Sequence, residues 1–395
     1  MVQRNVCFAV GTAMLCCVAA AVPAHGADAT SAALAVVRLA GTDGVDSQSI
    51  ATAWAQLARS DAAALPTLLG ALNDAPAPAA NWLRSATDAI VDRELGRGGT
   101  LPVTEIEAFV RDTSHDARAR RVAFGYLTRV DLGTPDRLIP TMLHDAGATF
   151  RYEAVARLLA EAAPHFDAER KDEARRLYRK AMTGAVDPIQ VKLIAERLAK
   201  LDVPVDLPSQ FGFVMEWKLI GPFEHGDPPG FDTVFPPEKK INLGASYPGK
   251  IEPVAWIDGV SSDDYGLVDI KKLIGRHKNA VAYGLAEFTS TQRRPVELRI
   301  GTYNAMKVWL NDKLLFAHEE YHHGSAVDQY RIQGVLEPGR NRILVKVCQN
   351  DQKEDWAQNW QFQLRVCDAT GAAVLSTTRP PRRARNATGD KGADQ

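Results

Sequence analysis

Between His318 and His323 the chain reads His-Glu-Glu-Tyr-His-His, imidazoles and carboxylates packed into one short segment. These are ligand types for zinc-class ions, and His318-Glu319-Glu320-Tyr321-His322 matches the H-E-x-x-H pattern. On a helix that spacing sets two imidazoles on one face, with Glu319 placed to activate a metal-bound water. The context opposes a helix. The segment follows a strand–turn–strand pattern over Lys307 to Ala317, and His323-Gly324 would end any helix at once. In extended backbone, residues two apart share a face, so His318, Glu320 and His322 would align with Glu319 and His323 opposite. Three readings stay open: an ordinary polar loop, a loop that contacts a ligand or holds calcium or zinc through His318, Glu320 and His322, and a zinc hydrolase. No cofactor is required by the first two.

A second polar–aromatic segment follows. Asp351, Lys353, Glu354, Asp355, Trp356, Gln358, Asn359 and Trp360 set two indoles among carboxylates and amides. Flat aromatic faces stack on the C–H groups of a pyranose, while polar neighbours meet its hydroxyls. The candidate ligand-binding set is therefore His318, Glu320, His322, His323, Asp351, Glu354, Trp356 and Trp360. Against it stands the reading in which Trp356 and Trp360 cap a core. Asp263-Asp264-Tyr265, and His225 with Asp227, read as turn residues. Trp217, Trp256 and Trp309 lie in or beside strand-like runs and read as core. No G-x-S-x-G elbow, P-loop or dinucleotide fingerprint occurs, so those chemistries have no support.

Two kinds of element must position these residues. From Thr30 to Leu201 the chain carries helical periodicity, as in Val122, Tyr126, Leu127 and Val130, or Ala174, Leu177, Tyr178 and Ala181. Breaks fall at Ala75–Pro78, Gly98-Gly99, Leu132–Pro135, Gly147 and Asp187-Pro188. His115-Asp116-Ala117 and His144-Asp145-Ala146 echo one another near the offset of a two-helix repeat, which favours an α-solenoid. Asp202 to Pro208 is a Pro-punctuated connector. Beyond it period-two alternation takes over. In Val296-Glu297-Leu298-Arg299-Ile300 and Phe362-Gln363-Leu364-Arg365-Val366 the apolar side chains face in and the charges out. Val281–Phe288, Lys307–Leu310, Leu314–Ala317 and Ile343–Val347 are further strands, with a tight turn at Asn311-Asp312. Many short strands without crossover helices make an antiparallel sandwich.

The chain has 395 residues, enough for two or three domains, and a formal net charge of −1 draws it to neither nucleic acid nor anionic lipid. The basic run Arg379 to Arg385 lacks interleaved aromatics and reads as part of a disordered tail, residues 371–395. Residues 1–26 read as a signal peptide: Arg4, an apolar run from Val6 to Ala21, then Ala24-His25-Gly26. Leu15 before Cys16 is bulky where lipid attachment wants a small residue. No stretch reads as a membrane span, and the expected location is periplasmic or extracellular. Of the cysteines beyond the leader, Cys348 and Cys367 would lie on the order of 20 Å apart if Arg342–Cys348 and Trp360–Cys367 form one hairpin. Two buried free thiols follow.

Val308-Trp309-Leu310-Asn311 and the run Leu336 to Val347 (LEPGRNRILVKV) resemble the core of a galactose-binding-like jelly-roll. That β-sandwich serves as the sugar-binding domain of family 2 glycoside hydrolases and as many carbohydrate-binding modules. Trp217 to Phe223 (WKLIGPF), with Gly230-Phe231-Asp232 and Phe235-Pro236-Pro237-Glu238, resembles the start of such domains in exported planctomycete-type proteins, where a HEAT-like helical region often precedes the sandwich. The resemblance covers Phe211 to Asp368. It departs from the pattern at Asp312, where glycine is usual after the turn asparagine. It also lacks a catalytic barrel, so glycosidase activity does not carry over.

The expected organisation is a helical repeat-like domain over 30–201, a linker over 202–210 and a galactose-binding-like sandwich over 211–370. The expected function is a non-catalytic exported protein that binds carbohydrate or glycan through loops of the sandwich, with a protein partner open to the helical domain. The alternatives are a zinc-dependent hydrolase using His318, Glu319 and His322, and a cell-envelope scaffold.

Overall fold

The computed structural model describes residues 25–380. The expected leader, apart from its last two residues, and the tail beyond residue 380 lie outside them. The chain is α-helical first and built of antiparallel sheets afterwards, and it divides into two compact units at Leu132/Gly133.

The first unit holds α1 (His25–Arg38), α2 (Ser47–Ala58), α3 (Leu65–Gly70), α4 (Ala77–Gly96), α5 (Val103–Arg111) and α6 (Ala117–Val130). Side chains start several of them. The Asp46 carboxylate accepts from Ser49 N at 2.9 Å to cap α2, and Asp116 accepts from Arg118 N at 2.7 Å to cap α6. The buried stripe of α6 is Ala119, Ala123, Phe124, Tyr126 and Leu127, rotated from the expected one; Val130 is 45 % exposed. The echo between His115–Ala117 and His144–Ala146 marks helix starts built differently. Asp116 is the cap itself, whereas Asp145 accepts from Gly147 N at 2.7 Å and Gly147 precedes the helix.

The second unit opens with α7 (Thr134–Leu138), α8 (Ala148–Asp167), α9 (Lys171–Gly184), α10 (Pro188–Lys200) and α11 (Leu207–Phe211). Ala174, Leu177, Tyr178 and Ala181 of α9 are buried, as their spacing predicts. The strands are β1 (Glu216–Glu224), β2 (Ser246–Tyr247), β3 (Val254–Ala255), β4 (Ile257–Val260), β5 (Val268–Asp269), β6 (Ala280–Ser290), β7 (Arg294–Thr302), β8 (Ala305–Leu310), β9 (Lys313–His318), β10 (Tyr330–Leu336), β11 (Gly339–Gln349) and β12 (Gln361–Cys367). One turn of helix, α12 (Pro236–Lys239), precedes β2, and another, α13 (Ile270–Leu273), follows β5.

The larger sheet has the order β4-β1-β6-β11-β8-β9, the smaller one β10-β7-β12-β5, and β2 pairs with β3. Every pairing is antiparallel. β11 and β12 therefore do not form the hairpin assumed for the cysteines; they belong to different sheets. Cys348 and Cys367 are nonetheless both free and buried. Burial pushes the Cys348 thiol up to about 12 and the Cys367 thiol to about 11, far from thiolate reactivity.

One hydrophobic cluster draws on both sheets, with Trp217, Leu219, Ala282, Val345 and Val347 from the larger and Leu298, Ile300, Phe362 and Leu364 from the smaller. The larger sheet is also covered on its other face. There Ile220, Phe223, Tyr283, Trp309 and Leu344 pack with Phe231, Phe235 and Trp256 from the excursion between β1 and β4. Burial on both faces is why β6 and β11 read as nearly continuous apolar runs instead of alternating ones. Lys346, fully buried on that second face, donates to Phe231 O at 2.9 Å, Thr233 O at 2.8 Å and Glu238 Oε1 at 2.9 Å, which ties the excursion to the sheet.

The charges expected to point outward from the smaller sheet are not solvated. Arg299 and Arg365 are 5 % and 1 % exposed. Arg299 Nη1 reaches Asp328 Oδ2 at 2.7 Å and its Nε reaches Glu297 Oε2 at 2.8 Å. Arg365 Nε donates to Asp328 Oδ1 at 2.6 Å, and its Nη1 to the carbonyls of Phe211 and Gly371. The period was right and the solvent was not: the loop bearing Asp328 and the segments around Phe211 and Gly371 cover this face. Burial alone would raise the Asp328 carboxyl, but hydrogen bonds and charge from Arg365 and Arg299 outweigh it and hold the group below its ordinary value. A depressed carboxyl stabilises the fold above its unfolded value of about 3.9 and loses that contribution as pH falls through the folded value. The thermal midpoint should therefore drop steeply below about pH 4, and Asp328→Asn should flatten that drop while lowering the midpoint at pH 7. An equally steep acid limb in Asp328→Asn would assign the acid sensitivity elsewhere.

Candidate functional site

The site lies where β9 and β11 run out. Asn311 and Asp312 turn β8 into β9 with φ of 50° and 66°, the left-handed pair that a two-residue hairpin needs. Asn311 holds the turn by accepting from Arg342 N at 2.9 Å, and Asp312, where glycine would be relaxed, forms an ion pair with Arg342. The hairpin delivers His318, opposite Met306, as the last strand residue. Residues 319–324 then leave the sheet without forming a helix. The helical H-E-x-x-H geometry is thus not made.

The extended alignment of His318, Glu320 and His322 is not made either. His322 adopts φ 58° and its backbone N–H donates to Tyr303 O at 2.6 Å, which turns the ring away from His318. His322 Nε2 lies 2.5 Å from Asn350 Oδ1, so this nitrogen carries the proton and donates to the amide oxygen. The other ring nitrogen, Nδ1, is buried without a partner. Burial lowers the His322 pKa from its ordinary value, with the hydrogen bond to Asn350 opposing. Trp356 stands edge to face against it, ring centroids 5.7 Å apart at 80°.

The residue that joins His318 and Glu320 is His323. One potential ligand atom from each of the three lies within 4.8 Å of the others. His318 Nε2 is 3.0 Å from Glu320 Oε2, and the His318 side chain lowers the Glu320 carboxyl. Tyr330, the first residue of β10, forms an aromatic wall, its ring 4.9 Å from that of His318 and 6.1 Å from that of His323. Glu319 points into a different group: Tyr321 OH lies 3.3 Å from Glu319 Oε1 and 3.1 Å from His225 Nε2. Glu319 is thus engaged with Tyr321 and is not one of the residues whose ligand atoms cluster, so it is not set to activate a water held there.

The second segment divides. Trp356 is 59 % exposed, with Asp351 and Glu354 also exposed. Lys278 Nζ donates to Ala357 O at 2.7 Å; burial lowers its pKa, while Glu354 and Asp351 act in the opposite sense. Trp360, by contrast, is 1 % exposed, belongs to the cluster between the sheets and donates Nε1–H to Val347 O at 3.3 Å. It is a core residue and leaves the candidate ligand set. Trp217 and Trp309 are buried as expected, and Trp256 is half-buried. Asp263 accepts from Tyr265 N at 2.8 Å, the turn role read for it. Asn350, Lys278, Tyr330 and Gln329 also belong to this end of the sheets. Only Asn350 carried a signal, as the residue just before the polar–aromatic segment.

No protein-family model and no curated protein matches this chain. Among solved structures, a β-glucosidase from Kluyveromyces marxianus in complex with glucose is 14% identical at a TM-score of 0.19, over 23% of this chain and 11% of that one. A Faecalibacterium prausnitzii β-glucuronidase is 14% identical at a TM-score of 0.21, over 40% of this chain and 31% of that one. The chain thus spans a third or less of those enzymes' lengths, and at such TM-scores the likeness carries no argument.

Proposed function

We propose that this is an exported carbohydrate-binding protein, an α-solenoid followed by a galactose-binding-like jelly-roll sandwich, that recognises glycan through the loops where β9 and β11 end. The observation that carries the reading is Trp356, 59 % exposed yet held against His322, whose ring is itself fixed by Asn350. An exposed indole with a fixed neighbour loses little side-chain entropy on contact and offers a flat face for a pyranose. The exposed carboxylates of Asp351 and Glu354 supply acceptors for hydroxyls beside it. His318, Glu320 and His323 border the same loop.

A glycan array probed with the full chain tests this. The expected result is a defined set of hits whose affinity falls about tenfold, roughly 1.4 kcal/mol, in Trp356→Ala. Hits that survive Trp356→Ala at full affinity would remove the site from this loop.

A further inference from the structure

We infer that His318, Glu320 and His323 form a binding site for a divalent metal of the zinc class, with a coordination position left open. The inference stands on these three side chains and does not need the glycan reading. Two imidazoles and one carboxylate are the ligand set of open zinc sites, while calcium and magnesium take oxygen donors. The spacing suits it: two ligands about 2.1 Å from one tetrahedral ion lie about 3.4 Å from each other. The observed His318 Nε2 to Glu320 Oε2 distance is 3.0 Å, and all three ligand atoms already lie within 4.8 Å.

A second observation points to the same place. His323 Nε2 is buried and has no hydrogen-bond partner, so this nitrogen is free to bind an ion. Its Nδ1 lies 2.9 Å from Gly324 O. The tautomer that donates Nδ1–H to that carbonyl leaves the Nε2 lone pair free for metal and fixes the ring, the usual outer support of a ligating histidine. Gln329 Nε2, 2.8 Å from the same Nδ1, favours the other tautomer, so metal binding must overcome that preference and is weaker than at closed four-ligand sites. His318 and Glu320 are part-exposed, which gives an ion access and keeps a position for water or a ligand oxygen. His322 takes no part: its ring lies against Trp356, and it is not among the residues whose ligand atoms lie within 4.8 Å of one another.

The test is titration of the full untagged chain with zinc chloride and cobalt chloride, with calcium and magnesium chloride as comparisons. One equivalent of zinc or cobalt is expected, with cobalt developing the intense visible bands of a low-coordinate site, and none of calcium or magnesium. Affinity should fall on the order of tenfold or more in His318→Ala, Glu320→Gln and His323→Ala and hold in His322→Ala. Glu320 is exposed, so Glu320→Gln reports on the ion even where a histidine variant folds poorly. Absence of stoichiometric zinc, or loss on His322→Ala with retention on His323→Ala, would overturn the site. Glycan binding by Trp356→Ala is a separate readout, so either idea can fail alone.

Discussion

Lys346→Ala should destabilise the protein by about 3–5 kcal/mol, the cost of removing one partner from a buried ion pair. Lys346 has no exposed surface, and its ammonium is met by Phe231 O, Thr233 O and Glu238 Oε1. Tyr283 donates its hydroxyl to the same Glu238 oxygen. Without the lysine, Glu238, its side chain only 10 % exposed, keeps one hydrogen bond from Tyr283, and two carbonyls of the excursion between β1 and β4 lose their donor. The loss should appear in the denaturant midpoint, and amide exchange should quicken first in residues 225–256. The double variant Lys346→Met with Glu238→Gln removes both charges and should recover most of the loss, because uncompensated charge, more than lost volume, is the cause. A single-variant cost under about 1 kcal/mol would mean that the apolar contacts of Phe231 and Phe235 alone hold the excursion.

The second large effect separates two tryptophans that look alike in sequence. Trp360→Ala should cost about 3–5 kcal/mol, since it empties an indole-sized space in the cluster between the sheets. Trp356→Ala should change stability by no more than about 0.5 kcal/mol, since that ring is 59 % exposed and stands edge to face against His322. Equilibrium unfolding of the two variants side by side checks both. Similar costs would contradict the assignment of one to the core and the other to the rim.

The strands were legible because alternation and continuous apolar runs set them directly: β7 and β12 fall on the segments read for them, and Asn311-Asp312 is the hairpin turn. Partner choice was not legible. β11 and β12 are neighbours in sequence and sit in different sheets, which depends on long-range pairing that no local pattern encodes. The burial of Arg299 and Arg365 escaped for a related reason. Charges at period two look solvated until a distant carboxylate, Asp328, is folded over them. At the site, composition marked the right loop but the backbone decided its members. The positive φ at His322 exchanges it for His323 beside His318 and Glu320, and hands His322 to Asn350 and Trp356 instead. No spacing rule for helix or strand anticipates one left-handed residue. The helices were legible from their stripes, although the face of α6 came out rotated.

The central claim, that glycan is met where β9 and β11 end, is tested most directly by amide hydrogen exchange with and without a glycan taken from the array hits. Slowed exchange is predicted in residues 319–324 and 350–357, and no change at the cavity of about 390 Å³ lined by Arg151, Gln190, Arg331 and Thr370. Protection confined to that cavity, with residues 319–324 and 350–357 exchanging as before, would contradict the account.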